Sequence, residues 1–156
     1  MSTERNLIDI ISHGVYLIGV KNEGKTNFMT AAWITQISSN PETILVAFQK
    51  NRYTAELIRK TKWFSVNSLL PEQREVAKWC GFHSGRKGDK TENMTYQLTD
   101  RGIPIIESCA GFMECELKQE VEYGDHVLFI AEVAGGRADS TDVMLYHEKD
   151  FFGTEG

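Results

Sequence analysis

His13-Gly14-Val15-Tyr16-Leu17-Ile18-Gly19-Val20 runs into Asn22-Glu23-Gly24-Lys25, and this junction decides the fold class. The first segment is rich in β-branched and aromatic residues and reads as a strand; the second is a cluster of turn formers and reads as a hairpin loop. The chain then returns through Thr26 to Ser39, read as one strand, stops at Asn40-Pro41, and sets out again as Thr43-Ile44-Leu45-Val46-Ala47-Phe48. Three antiparallel strands are therefore expected to open the domain. Apolar residues on both faces of the first and third suit strands inside a barrel or beneath a partner chain better than a sheet with one wet side.

Working outward, Asn51 and Thr54 offer N-caps for a short helix that uses Ala55, Leu57 and Ile58 and ends near Lys60. Trp63-Phe64-Ser65-Val66-Asn67 is a short strand. Pro71 suits the first turn of a second helix, with Glu72 at its positive end, Val76, Trp79 and Cys80 on one face, and Gly81 as its stop. Phe82 to Asn93 is polar and glycine-bearing, a surface loop. From Phe112 to Val121 the pattern alternates. Phe112, Glu114, Glu116, Lys118 and Glu120 fall on one, wet side, and Met113, Cys115, Leu117, Gln119 and Val121 on the other. After the turn Tyr123-Gly124-Asp125, Val127 to Val133 forms the last strand, with Val127, Phe129, Ala131 and Val133 sharing a face. The fold class is mainly β with short helices inserted between strands, in one domain over 1–156.

Composition agrees. The chain has 156 residues, 41% hydrophobic and 25% charged, with a formal net charge of −5. That is enough for one filled core, and it provides no general field to gather nucleic acid phosphates. Met1 to Asn6 shows no secretory pattern, and no run of about 18 apolar residues occurs, so a cytoplasmic protein without a membrane span is expected. Cys80, Cys109 and Cys115 show no CxxC spacing and are expected to be reduced and mostly buried. Cys80 and His83 have metal-like spacing, but no second pair completes a site, and no metal is expected.

Two segments could carry chemistry. In Asn27-Phe28-Met29-Thr30-Ala31-Ala32-Trp33-Ile34 the alanines let a flat ligand approach the backbone, while Asn27 and Thr30 offer hydrogen bonds; the alternative is an ordinary strand packing small residues against a neighbour. Lys50-Asn51-Arg52-Tyr53-Thr54 sets two cations and two capping side chains at a helix start, where free N–H groups and the helix dipole favour an anion such as phosphate. A capped surface helix with solvated charges is the alternative there. Ser84-Gly85-Arg86-Lys87-Gly88-Asp89-Lys90 does not match GxxxxGK[ST] and is no P-loop, although Lys87 or Lys90 could reach a ligand. His126 opens a strand directly after a turn and could face a ligand or simply bond the backbone. No G-x-S-x-G elbow supports a nucleophile triad.

Taken in order, several landmarks resemble the flavin-reductase-like FMN-binding split barrels, and within them the flavoredoxin-type branch. They are Gly14-Val15-Tyr16, Asn27 to Trp33, Ser38-Ser39-Asn40-Pro41, Lys50 to Thr54, Phe64 to Leu69, Gly85 to Lys90, Gly124-Asp125-His126 and Leu145-Tyr146-His147. The family often carries a Pro-Pro pair where this chain has Pro41-Glu42, and a glycine where it has Ala131. The resemblance implies a Greek-key split barrel, working as a homodimer with FMN near the subunit boundary. It places Asn27, Met29, Thr30, Ala31, Ala32 and Trp33 along the ring and Lys50, Asn51, Arg52 and Thr54 at the phosphate. Lys90, His126 and Phe151 or Phe152 become further flavin neighbours. It implies a flavin reductase fed by NADH or NADPH, with no side chain needed as acid or nucleophile. The alternatives are a flavoredoxin-like carrier reduced by a partner redox protein, or a non-redox ligand-binding scaffold.

Overall fold

The computed structural model describes residues 6–152. β1 (Tyr16–Asn22) and β2 (Lys25–Ala31) form the expected hairpin, paired from Asn22↔Lys25 to Tyr16↔Ala31. Its loop places Glu23 at φ 50° and Gly24 at φ 83°, the two left-handed residues of a type I′ turn, whose twist matches that of the strands it joins.

The return segment is not one strand. β2 stops at Ala31 and β3 (Ile34–Ser39) begins after a break at Ala32-Trp33, so four strands rather than three open the domain. Ile34 N–H donates to the Ala32 carbonyl at 3.1 Å, a three-residue turn centred on Trp33, and the Trp33 carbonyl accepts from Ala47 N–H at 3.0 Å. The turn has a large consequence, because the seven-stranded antiparallel sheet runs β2-β1-β5-β8-β9-β4-β3. β2 and β3, adjacent in sequence, are its two opposite edges, and Ala32-Trp33 carries the chain across the open seam of the barrel. The remaining strands of this sheet are β4 (Glu42–Gln49), β5 (Trp63–Ser68), β8 (Gly111–Tyr123) and β9 (His126–Ala138).

The barrel interior is filled by Ile18, Val20, Ile44, Val46, Phe48, Phe64, Val66, Val127 and Phe129, with Ala55, Leu57 and Ile58 of α1 (Tyr53–Thr61) packed among them. A second cluster lies outside, where α2 (Arg74–Phe82) covers the other face of the first hairpin through Leu17, Phe28, Ala77, Cys80 and Ile106. Both faces of β1 are thus dry, as its sequence implied. A small hairpin, β6 (Tyr96–Leu98) with β7 (Pro104–Ile106), was not foreseen from the sequence. Buried Asn67 stitches it down: its amide N–H₂ donates to Leu17 O at 3.0 Å and Ser65 Oγ at 2.9 Å, while its Oδ1 accepts from Ile106 N–H at 3.1 Å. Gly19 lies under the same hairpin, and a Cβ there would meet the Pro104 carbonyl at 2.5 Å.

Three boundaries differ from expectation. α1 has Arg52 at its N-cap with no side-chain cap; Asn51 adopts a left-handed φ of 69°, and Thr54 turns inward. α2 starts at Arg74 because Pro71-Glu72 is spent in a turn closed by Gln73 N–H on Leu70 O at 3.0 Å, and it runs through Gly81 to Phe82. In β8, register shifts after Glu114 and Leu117 break the alternation. Glu114 is consequently buried, with Arg101 Nη1 2.7 Å from its Oε2, and the expected wet face is interrupted there. All three cysteines are free and buried. Among the described residues no helix is long and apolar enough to cross a membrane. A 3₁₀ turn at Lys90–Asn93 precedes β6, and α3 (Glu148–Phe152) is the last element among the described residues.

Candidate functional site

The strand of small residues and the cationic helix start meet. Asn27 Nδ2 donates to Thr54 Oγ1 at 2.8 Å, joining β2 to the first turn of α1. Asn27 is 3% exposed, and its Oδ1 has no hydrogen-bond partner. Gly85 lies directly over that oxygen; any Cβ at this position would collide with it. Arg86, the next residue, binds the Glu56 carboxylate, donates to Asn51 O at 3.3 Å, and lies 5.2 Å above the Tyr53 ring. Lys50, Asn51 and Arg52 are exposed around the same helix start. Arg52 donates to Gln49 Oε1 at 2.6 Å.

At the other end of this strip Trp33, 50% exposed, stacks on His126 with ring centroids 4.5 Å apart. His13 stands on Trp33 at 6.2 Å. His126 is positioned by Asp125, Nδ1 to Oδ1 at 2.6 Å, and pairs across the ladder with Gln49, next to Lys50. This hydrogen bond holds the Asp125 carboxyl below its usual range. Between the ends, Asn27, Met29 and Ala31 point toward the barrel, where Met29 and Ala31 join the interior cluster. Thr30 points the other way and gives its hydroxyl to Ala77 O of α2 at 2.6 Å. Ala32 is half-buried. Because Asn22↔Lys25 closes a two-residue hairpin and so is a hydrogen-bonded pair, Thr26, Phe28 and Thr30 turn their main-chain groups to the outer edge of β2, where no strand of the sheet pairs.

Lys90 opens the 3₁₀ turn that packs on β2, within electrostatic reach of Arg52, while Phe151 packs on the α2 side of the first hairpin. Lys90 is 5% exposed and its ammonium donates to His83 O at 2.7 Å and Cys80 O at 3.0 Å, serving the carbonyls that end α2. Burial lowers its pKa, Cys80 opposes the shift, and Arg52 adds to it. Phe151 stacks on Tyr146 at 5.5 Å against the α2-side cluster; the Phe152 side chain lies outside the described residues. Sequence reasoning did not single out Tyr53, Glu56 or the pairing role of Arg86. A glycine-arginine pair in a loop facing a first-turn acid was the available signal, but nothing in the sequence put the loop opposite α1. A cleft of about 890 Å³ lies on the outer side of α2 around Trp79 and Met94, lined by none of the residues that the resemblance gave to the ring or the phosphate. Among the described residues no group of three or more His, Cys, Asp or Glu could hold a metal ion.

A seven-stranded antiparallel barrel, open between its second and third strands and plugged by one short helix, is a split barrel of the kind seen in FMN-binding proteins. The chain belongs to the family described as flavin reductase like domain, whose model matches residues 8–155. It is similar to a flavin reductase of Pseudomonas putida, 32% identical over 133 residues that make up 84% of this chain and 75% of that one. It is also 32% identical to a high molecular weight rubredoxin of Moorella thermoacetica, over 79% of this chain but only 55% of the relative. Among solved structures, an FMN-binding protein from Thermus thermophilus with bound 1-cyclohex-2-enone superposes with a TM-score of 0.86 at 26% identity, covering 98% of this chain and 92% of that one.

Proposed function

We propose that this chain holds FMN along the strip from α1 to His126 and acts as an NAD(P)H-dependent flavin reductase, passing electrons through the flavin to a second acceptor. The observation that carries the reading is the Asn27–Thr54 hydrogen bond, which ties the small-residue strand to an uncapped, cation-flanked helix start. The residues present fit the group. The buried Asn27 Oδ1 stands unpartnered beneath Gly85, in the loop that closes over the helix start. The free N–H groups of α1, with Lys50, Asn51, Arg52 and Thr54 around them, suit a phosphate, and the half-exposed Trp33 with His126 offers an aromatic wall.

When bound, FMN supplies a hydride acceptor and electron donor. The chain's own residues bind and orient. The half-buried Met29 and Ala32 give a low apolar floor, the outward main-chain groups of Phe28 and Thr30 offer hydrogen bonds to a polar ring edge, and Asp125 fixes the His126 imidazole beside Trp33. Lys90 acts one step back, by tying the end of α2 to the loop that carries Gly85 and Arg86.

The test is a visible spectrum of purified protein before and after anaerobic NADH or NADPH. A yellow protein that bleaches supports the reductase; a yellow protein indifferent to both rules that role out. The similarity to a rubredoxin-type relative favours a second reading, a carrier reduced by another redox protein. Bleaching only with a reduced iron–sulfur or rubredoxin-type donor selects it. In either role we infer a homodimer, for which the exposed apolar surface is the support.

A further inference from the structure

An acid stands where the proposed site needs none. Glu56 occupies the first turn of α1, beside the helix start that the flavin reading gives to a phosphate. There its carboxylate would repel a dianion by the same Coulombic term that lets the helix dipole attract one. Its charge is covered by Arg86, which comes from the 84–90 loop, binds Glu56, reaches Asn51 O at 3.3 Å and lies over the Tyr53 ring. Arg86 and Glu56 are both about half exposed, so burial locks neither of them in place. Two features single out the spot, over which Gly85 of the same loop closes. The nine-residue α1 has no side-chain cap, and the buried Asn27 amide, bonded to Thr54 of its first turn, leaves Oδ1 without a partner.

We propose that Arg86 is the residue that selects for a terminal phosphate on the flavin, with Glu56 as its resting partner. The proposal rests on the flavin reading above and adds to it a residue outside the Lys50 to Thr54 run. A guanidinium presents a planar fork that fits carboxylate and phosphate alike. In the unliganded molecule the fork neutralises Glu56 and keeps Arg86 over the α1 start. With a phosphate ester there, the same fork spans ester and Glu56 or transfers to the ester, and the penalty for placing a dianion beside Glu56 falls. A flavin without the phosphate gains nothing from this exchange. Asn51 contributes by its left-handed backbone, which turns its carbonyl toward the guanidinium.

The experiment compares FMN with riboflavin, each titrated by fluorescence quenching into the wild type, Arg86→Ala and Glu56→Gln. Arg86→Ala is expected to weaken FMN binding by about tenfold or more while leaving riboflavin unchanged. Glu56→Gln is expected to tighten FMN several-fold, again without effect on riboflavin, and inorganic phosphate should compete with FMN more weakly in Arg86→Ala than in the wild type. Equal losses for both flavins in Arg86→Ala, or no loss for either, overturn the selective role while leaving the flavin reading intact. A wild type that binds neither flavin overturns both. Glu56→Gln removes a charge on a half-exposed side chain and conserves its shape, so the second arm stands even if the loop is disturbed in the first.

Discussion

Asn67 shows how one side chain can hold an element the hydrophobic pattern does not specify. All three of its hydrogen bonds are buried, and they reach β1, β5 and the strand β7 of the small hairpin. Asn67→Ala leaves Leu17 O, Ser65 Oγ and Ile106 N–H short of partners in a dry site and is expected to destabilise the fold by about 2–4 kcal/mol. Urea unfolding measures it, and a loss under about 1 kcal/mol would mean that water replaces the amide. Cys115 makes a different prediction. Burial, with Glu114 adding to it, pushes its thiol up to about 12 from an ordinary 9.0. Above about pH 9 the unfolded chain therefore releases a proton that the folded chain keeps, so stability falls as pH rises, by about 1.4 kcal/mol per unit for this thiol until its folded pKa is reached. Cys115→Ala should be less stable at neutral pH yet show a shallower alkaline decline. Urea midpoints at several pH values between about 8.5 and 10.5 give the slope, and parallel curves for both proteins would refute the assignment.

Elements fail or succeed by the same accounting. The loop that brings Gly85 and Arg86 to α1 is tied at its end by Lys90, whose ammonium serves two carbonyls at the close of α2. Lys90→Met keeps the stem and removes the donors, so the loop should exchange its amide hydrogens faster and FMN retention should fall, with stability lowered by about 1–3 kcal/mol. Unchanged exchange between residues 83 and 91 would remove Lys90 from this role. Much of this architecture was legible in the chain. Asn22 to Lys25 announced the hairpin because turn geometry is local, and the doubly apolar β1 announced covers on both faces. The break at Ala32-Trp33 was illegible because its cause is the Trp33 carbonyl pairing with Ala47, a partner on a strand that only closure of the barrel brings near. The β8 shifts and the burial of Glu114 were hidden for a like reason, since its partner Arg101 comes from the loop between β6 and β7. At the site, the residue types at Asn27 and Thr54 were readable, but their direct bond was not. The loop across them, with Arg86 on Glu56, depends wholly on tertiary approach.

On the scale of the whole molecule, the surface still has to be accounted for. The 3₁₀ turn Leu7–Ile10 buries none of its residues; Leu7 is 91% and Ile10 89% exposed, and Ile8 and Ile11 are also open. This segment leads to His13 beside the half-exposed Trp33, and to Gly14, which bridges to the exposed Leu145. Isolated apolar side chains on a surface need no explanation, but a run of them continuous with Trp33 and Leu145 is the support for the proposed homodimer. A second partly apolar area is a cleft of about 870 Å³ lined by Ile34, Ile44, Val66, Phe112, Met113 and Val133 among others. Two copies related by a two-fold axis can cover both features with one self-complementary contact, and such a contact would shield the Trp33 end of the proposed flavin strip. Sedimentation equilibrium at about 10 μM is expected to return twice the chain mass. Ile8→Asp combined with Ile10→Asp, which touches no core residue, should shift the population to monomer and loosen flavin retention together. A wild type that sediments as a monomer would rule out the symmetric pair, and a dimeric double variant would move the interface to the cleft.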